Sequence, residues 1–267
     1  MVLIIILVIL VAFYLLSLRC RKGHKGLAAL QGWNYAHRGL HNETRPENSM
    51  AAFRAALENG FGIELDIHLL KDGNLAVIHD SSLKRTAGAD VNIEDLSTED
   101  LCRYHLEGTD QTIPAFRDVL DLYAGKAPLI VELKVERNNY AQLAEAACNM
   151  LDTYDGPFCI ESFDPRCVYW LKKHRPDIIR GQLSRNFMTG EAYVPWIFRF
   201  LMTHQLINFL ILPDFVAYMY EDRKNLGNFL ARKLWGVQGV SWTIRTKENL
   251  RTATEEGYLP IFEGFMP

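Results

Sequence analysis

The chemistry in this chain begins with acids placed where acids are costly. The run GIELDIHLL, from residue 62 to 70, is otherwise apolar and reads as a strand. Side chains alternate faces along a strand, so Glu64, Asp66 and His68 share one face while Ile63, Leu65 and Ile67 share the other. Two carboxylates two residues apart repel each other, and if buried they need a cation. The run LIVELKV, 129–135, repeats the device with Glu132 and Lys134 on one face. A solvated edge strand would explain the first pair and a structural ion pair the second. Taken together, Glu64, Asp66 and Glu132 offer three oxygen donors from neighbouring strands, which suits a hard divalent ion, Mg²⁺ or Ca²⁺. Zinc fits poorly, because no cysteine or paired histidine accompanies them.

Two histidines stand at strand ends. His37 closes the extended piece NYAH and His79 closes LAVIH, and each precedes a loop. Imidazole titrates near neutral pH, so the two suit general acid–base work. Arg38 and Lys134 bring positive charge suited to phosphate oxygens. A metal, two cations and two proton-transfer groups make a constellation for cleaving a phosphate ester.

From Trp33 onward, apolar strand-like runs alternate with helix-period stretches, the pattern of βα units. Strands are expected at 33–37, 61–68, 128–135, 157–162, 178–183, 209–217, 238–244 and 258–262, the sixth interrupted by Pro213. Helices are expected at 47–59, 139–153, 165–174, 193–206, 222–235 and 246–256, with a further one in AFRDVLDLYAG. This predicts an α/β fold, a (β/α)8 TIM barrel, in which catalytic groups gather at strand C-termini. Residues 74–113 break the alternation and read as an insertion after the second strand, with a capped short helix at LSTEDL.

The chain has 267 residues, 49% hydrophobic and 23% charged, enough apolar content for one barrel core. A net charge of −3 gives no bulk attraction for nucleic acid. Five scattered cysteines without a CxxC fit free thiols rather than a disulfide frame. Residues 2–18, VLIIILVILVAFYLLSL, carry no charge, glycine or proline, and RCRKGHKG follows. This predicts an uncleaved transmembrane anchor with its basic flank over 1–25, and a cytoplasmic catalytic domain over 26–267 that starts with a linker at 26–32.

In the stretches AHRG and RPENSMAAF from Ala36, GIELDIHLLKDGNLAVIHD from Gly62, LKRTAG, IPAFRDVL, VELK, ESFDP and SWTI, the chain resembles the glycerophosphodiester phosphodiesterase family. The matches run in order over most of residues 33–245. The resemblance implies a TIM barrel with a small insertion after the second strand, and metal-dependent hydrolysis of a glycerophosphodiester to glycerol 3-phosphate and an alcohol. It implies that His37 and His79 are the acid–base pair, that Glu64, Asp66 and Glu132 hold the metal, and that Arg38 and Lys134 contact the phosphate. By the same analogy Phe163 and Trp242 line the pocket. His41 receives no role.

Two departures bear on headgroup preference. The family commonly has Trp-Thr-Val-Asn where this chain has WTIR, placing Arg245 near the pocket rim. The Thr-Asp-x-Pro-like turn that commonly ends the barrel is FEGFMP here, with Glu263 a loose counterpart. YVPWIFRFLMTHQLINFLIL, from Tyr193, reads first as a core-facing helix plus the sixth strand, and second as a hydrophobic lip resting on a bilayer. That lip, with the N-terminal anchor, keeps lysophospholipid cleavage of phospholipase D or C type open as an alternative. A non-catalytic lipid-binding barrel ranks below both, since no catalytic group is missing.

Overall fold

A computed structural model of the chain describes residues 1–189 and 194–267. Its strands are β1 (Tyr35–His37), β2 (Gly62–Leu69), β3 (Leu75–Val77), β4 (Leu129–Leu133), β5 (Phe158–Ser162), β6 (Arg180–Ser184), β7 (Phe215–Met219), β8 (Gln238–Ile244) and β9 (Tyr258–Phe262). All except β3 pair in parallel, and β1 pairs with both β2 and β9, which closes an eight-stranded parallel barrel. β3 folds back antiparallel on β2. The helices are α1 (Val2–Ser17), α2 (Met50–Glu58), α3 (Lys84–Ala87), α4 (Phe116–Tyr123), α5 (Tyr140–Leu151), α6 (Pro165–His174), α7 (Trp196–Thr203), α8 (Asn208–Ile211), α9 (Leu226–Trp235) and α10 (Lys247–Glu255).

Strand alternation builds the core in two shells. Ile63, Leu65, Ile67, Leu129, Val131 and Leu133 point outward and pack under helix residues such as Phe53, Phe116 and Leu143. Facing inward, Tyr35, Ile130, Cys159, Phe215 and Leu259 fill the lower barrel. Gly181 lets Phe215 in, because a Cβ there would lie 2.1 Å from the ring. Above this apolar plug the same inward positions become Glu64, Asp66, Glu132 and Glu161, all buried. The acids therefore sit at the strand C-termini, where a TIM barrel gathers its chemistry.

Several expected elements differ. The sixth strand was expected at 209–217, but 208–211 are helical as α8, and β7 starts only at Phe215. Leu212 takes a left-handed φ of 45° and Pro213 follows, so the apolar run turns before it can extend. The helix expected from 47 starts at Met50, capped by the Ser49 hydroxyl, which accepts from Ala52 N at 3.1 Å. Glu47 and Asn48 are thereby free for other work. Residues 26–32 are not a loose linker: a 3₁₀ turn over Lys25–Leu30 buries Leu30 beneath the barrel, and its carbonyl accepts from the Tyr35 hydroxyl at 2.6 Å. The inserted segment folds on its own small core of Leu83, Ile93, Leu101, Leu106 and Ile113, and Ser97 and Asp100 cap a 3₁₀ turn reciprocally. All five cysteines are free thiols, four of them buried.

The anchor expectation needs correction. α1 is a 16-residue helix, about 24 Å long against a hydrocarbon layer of about 30 Å. No helix among the described residues is long and apolar enough to cross a membrane. The favoured reading of 193–206 as a core-facing helix also fails: Tyr193 lies outside the described residues, and α7 turns Trp196, Ile197, Phe198 and Phe200 to solvent.

The end of α1 is fastened to the barrel. Leu18 and Cys20 are buried against Val216, Tyr218 and Ala231. Arg21 Nε donates to Asp214 Oδ1 at 2.5 Å, and Asp214 Oδ2 also accepts from the Arg180 backbone N–H at 3.0 Å. Asp214 is buried, so Asp214→Ala leaves the Arg21 guanidinium without its carboxylate and the Arg180 backbone N–H without its acceptor. We expect a loss of about 3–5 kcal/mol in unfolding free energy, read from the urea midpoint.

Candidate active site

The strand ends place nearly all the sequence-derived site residues around one cavity of about 280 Å³, which Arg38, Phe163, Leu183, Trp242 and Arg245 also line. His37 enters from β1, Glu64 from β2, His79 from the end of the β3 extension, Glu132 from β4 and Lys134 from the residue just after it. Asp66 sits beneath, buried between Lys134 Nζ, 3.0 Å from Oδ1, and Arg38 Nε, 3.4 Å from Oδ2. Phe163 and Trp242 meet edge to face with centroids 5.5 Å apart. His68 is turned away: it pairs with Glu94 at 2.6 Å and ties the inserted segment to β2.

The turn after β1 is built for this geometry. Arg38 (φ 53°) and Gly39 (φ 81°) are both left-handed. A Cβ on Gly39 would lie 2.9 Å from the Ala52 backbone, so only glycine brings α2 this close. The turn aims the Arg38 N–H at Glu64 Oε2, 3.1 Å away. Asn48, also left-handed, donates from Nδ2 to Asp66 Oδ2 at 2.8 Å.

Electrostatics divide the acids. Burial would raise Asp66, but Lys134 and Arg38 outweigh it and hold the carboxyl far below the usual range. Burial pushes Glu132 up to about 7, and Asp66 adds to the effect. Glu64 and Glu161 are also driven well above the ordinary carboxylate value, first by burial and then by neighbouring acids. Glu161 Oε2 is buried with no hydrogen-bond partner. Among the described residues, Arg38 and Lys134 are the cations that meet this cluster of four buried carboxyls, and Arg38 is shared with Glu47, so the cluster is short of positive charge. Oxygen atoms of Glu64, Asp66 and Glu132 lie within 4.8 Å of one another. The donor set, its crowded charge and the orphaned oxygen all fit a hard divalent cation held by Glu64, Asp66 and Glu132.

Each histidine is held by a carboxylate that the sequence reading left without this role. His37 Nδ1 lies 2.5 Å from Glu263 Oε2, and His79 Nδ1 lies 2.6 Å from Asp80 Oδ1. The His37 N–H holds Glu263 down to about 2, while burial keeps His37 below its ordinary value. The contact suits a neutral imidazole that donates from Nδ1 to the carboxylate and leaves Nε2 to accept. Burial likewise lowers His79. Asp80 is shared with Arg85, whose Nε donates to Oδ2 at 2.5 Å, and Arg85 Nη2 also donates to Glu47 Oε1 at 2.6 Å. Glu47 in turn accepts from Arg38 Nη1 at 3.1 Å, so one charge chain links His79 to the Arg38 guanidinium. Arg245, the departure from the family pattern, lies 3.5 Å from Glu263 Oε1. His41 lines the same cavity and groups with His37 and Glu263.

Glu263→Gln keeps the size but removes the charge that raises the His37 pKa. We expect turnover to fall about 10²-fold or more through loss of the Nδ1–H tautomer. The acid limb of kcat/KM should move to lower pH, because the group that favoured protonation is gone. A pH–rate profile checks both.

The sequence pattern of the "Glycerophosphoryl diester phosphodiesterase family" matches residues 37–262. The chain belongs to this family. It is a phosphodiester hydrolase of the glycerophosphodiester class. A glycerophosphodiester phosphodiesterase of Caldanaerobacter subterraneus subsp. tengcongensis is 28% identical over 235 residues, covering 83% of this chain and 89% of that protein. Lysophospholipase D GDPD1 of Homo sapiens is 36% identical over 116 residues, 39% of this chain and 36% of the human one. Among solved structures, a phosphodiesterase of Oleispira antarctica in complex with the product sn-glycerol-3-phosphate superposes with a TM-score of 0.71 at 21% identity, covering 86% of this chain and 92% of that one. At that identity the likeness supports the fold.

Proposed function

We propose that this phosphodiesterase cleaves glycerophosphodiesters such as glycerophosphocholine and glycerophosphoethanolamine to glycerol 3-phosphate and the free alcohol, with His37 as base and His79 as acid. The observation that carries this reading is the pair of carboxylate-held imidazoles, His37–Glu263 and His79–Asp80, beside the acidic cluster in one cavity.

Arg38 and Lys134 bind the phosphoryl oxygens and neutralise their charge as it grows. His37 Nε2 takes the proton of the nucleophile, which is water or the substrate's own glycerol 2-hydroxyl. The new P–O bond forms as the bond to the headgroup oxygen breaks, and His79 gives that oxygen its proton. With the 2-hydroxyl as nucleophile, a cyclic phosphate forms first and water opens it in a second step. Glu64, Asp66 and Glu132 would hold a divalent cation, Mg²⁺ or Ca²⁺, which when bound would supply Lewis-acid charge to the reaction. Phe163 and Trp242 wall the leaving group and exclude water. The test is release of glycerol 3-phosphate from glycerophosphocholine, with and without a chelator.

The same chemistry extends to lysophospholipids if an acyl chain can reach the mouth. α1 favours that reading, with its exposed apolar side chains and the basic residues Arg19, Arg21, Lys22 and Lys25 behind them. Its uncharged, all-round apolar surface suits burial in lipid, with the barrel held at the cytoplasmic surface. Mass spectrometry of products from lysophosphatidylcholine separates the outcomes. Lysophosphatidic acid and choline mark a D-type cut, whereas monoacylglycerol and phosphocholine mark a C-type cut. An intact lysolipid limits the enzyme to glycerophosphodiesters.

A further inference from the structure

Outside α1, most of the exposed large apolar side chains among the described residues stand on α7, α8 and α9. Trp196 (66% exposed) and Phe198 (57%) stand on α7, Phe209 and Leu210 on α8, and Phe229 and Leu234 on α9. On the far side of the barrel, α2 and α4 expose no large apolar residue. A soluble surface rarely gathers so many apolar groups on consecutive elements, and such a patch marks an interaction face.

α1 leaves the barrel within this sector. Its last turn packs against the barrel wall at Val216 and Tyr218 and beside α9 residues Ala231 and Leu230. Trp235 Nε1, at the end of α9, donates to the Leu15 carbonyl at 2.9 Å. Phe13 meets Phe209 of α8 edge to face at 6.3 Å. The apolar surface of α1 therefore runs directly into that of α8 and α9. Cations edge it: Lys22 Nζ sits 5.7 Å from the Trp235 ring centroid, and Lys172 of α6 donates to the Leu210 carbonyl at 2.5 Å. Apolar side chains rimmed by aromatic rings and lysines match the interface of an anionic bilayer. At its other end the sector reaches the active site. Arg199 of α7 donates from Nε to the Phe187 carbonyl at 2.6 Å, and Phe187 packs on Phe163, a wall of the cavity, at 6.1 Å.

We propose that α7, α8 and α9 form a lipid-docking face that lies on an anionic phospholipid bilayer beside α1, so that the barrel rests on its side with the active-site mouth at headgroup level. This rests on the membrane reading of α1 and is independent of the reaction. A substrate anchored in the bilayer by one acyl chain would then approach along α7 past Phe187 without leaving the interface.

The test uses the full chain with its one exposed thiol, Cys102, changed to Ser and an environment-sensitive fluorophore on Phe198→Cys, Phe229→Cys or Asp118→Cys. Asp118 is an exposed position on α4, on the far side. On vesicles of phosphatidylcholine with phosphatidylglycerol, the labels at 198 and 229 should shift to the blue and brighten several-fold. The label at 118 should keep its aqueous emission. A vesicle-bound chain whose 198 and 229 labels stay in water overturns the docking face alone, and a chain that does not bind vesicles overturns the reading of α1 with it. Blue-shifted labels without vesicles, together with a doubled mass, assign the face to a second copy and also overturn the proposal. In a second variant, Trp196→Ser with Phe198→Ser should weaken vesicle binding about tenfold or more while leaving turnover of water-soluble glycerophosphocholine unchanged. Unaltered vesicle binding by this variant contradicts the proposal.

Discussion

Glu64→Gln should lower phosphodiester turnover about 10³-fold or more while making the metal-free protein more stable. The two effects share one cause. Glu64 is buried among Asp66, Glu132 and Glu161, and its carboxyl is driven well above the ordinary value by burial and by those charges. A group whose folded pKa is raised adds stability that is full below its unfolded pKa and lost as pH rises through the folded value. Glu132, raised to about 7, follows the same rule. The metal-free barrel should therefore weaken as pH climbs from about 4.5 towards 7 and beyond, and a divalent ion should reverse the loss. The amide oxygen introduced by Glu64→Gln can still accept from the Arg38 N–H but brings no charge, so the substitution relieves the repulsion and weakens the cation site together. Thermal melts across pH, with and without Mg²⁺ or Ca²⁺, read the stability half; initial rates read the other. A variant that loses both activity and metal-free stability would show that Glu64 is a structural acid.

With each histidine in its proposed role of transferring a proton rather than binding the ground state, replacing either by Gln should reduce kcat about 10²–10⁴-fold with little change in KM. The two losses should differ in kind. A substrate whose leaving group is nitrophenol needs no proton on departure, so it should restore His79→Gln towards the wild-type rate and leave His37→Gln slow. The reverse pattern would exchange the roles of base and acid. The double variant should be little worse than the poorer single one, since the two groups act as one unit. Asp80 and Arg85 give this asymmetry a structural basis. The Asp80 carboxylate is shared with a guanidinium at 2.5 Å, whereas Glu263 meets Arg245 only at 3.5 Å.

Much of this site could be read in the sequence because strands announce their faces. Glu64, Asp66 and Glu132 interrupt apolar runs at period two, so their convergence follows from the parallel register that sets Asp66 opposite Glu132. The supporting shell gave weaker signals. Glu263 lies after the last strand, and only barrel closure of β9 on β1 brings it to His37. Glu47 resembles an ordinary first-turn helix acid, yet capping by Ser49 releases it to the arginines. Asp80 adjoins His79 in sequence, and its contact is set by local geometry that periodicity does not encode. The apolar stretch before Pro213 misled for another reason. Hydrophobicity marks what avoids water without saying whether protein or lipid covers it, so α7 was expected to face the core. The same ambiguity applied to α1, where composition suggested a span and the helix is shorter than a bilayer is thick.

Cation-assisted phosphodiester cleavage by His37 and His79 can be read in a single assay, the release of glycerol 3-phosphate from glycerophosphocholine by the full chain. Turnover should be abolished by a chelator, restored by Mg²⁺ or Ca²⁺, and lost in His37→Gln even with the metal present. Undiminished activity in the chelator, or wild-type turnover by His37→Gln, would contradict that mechanism.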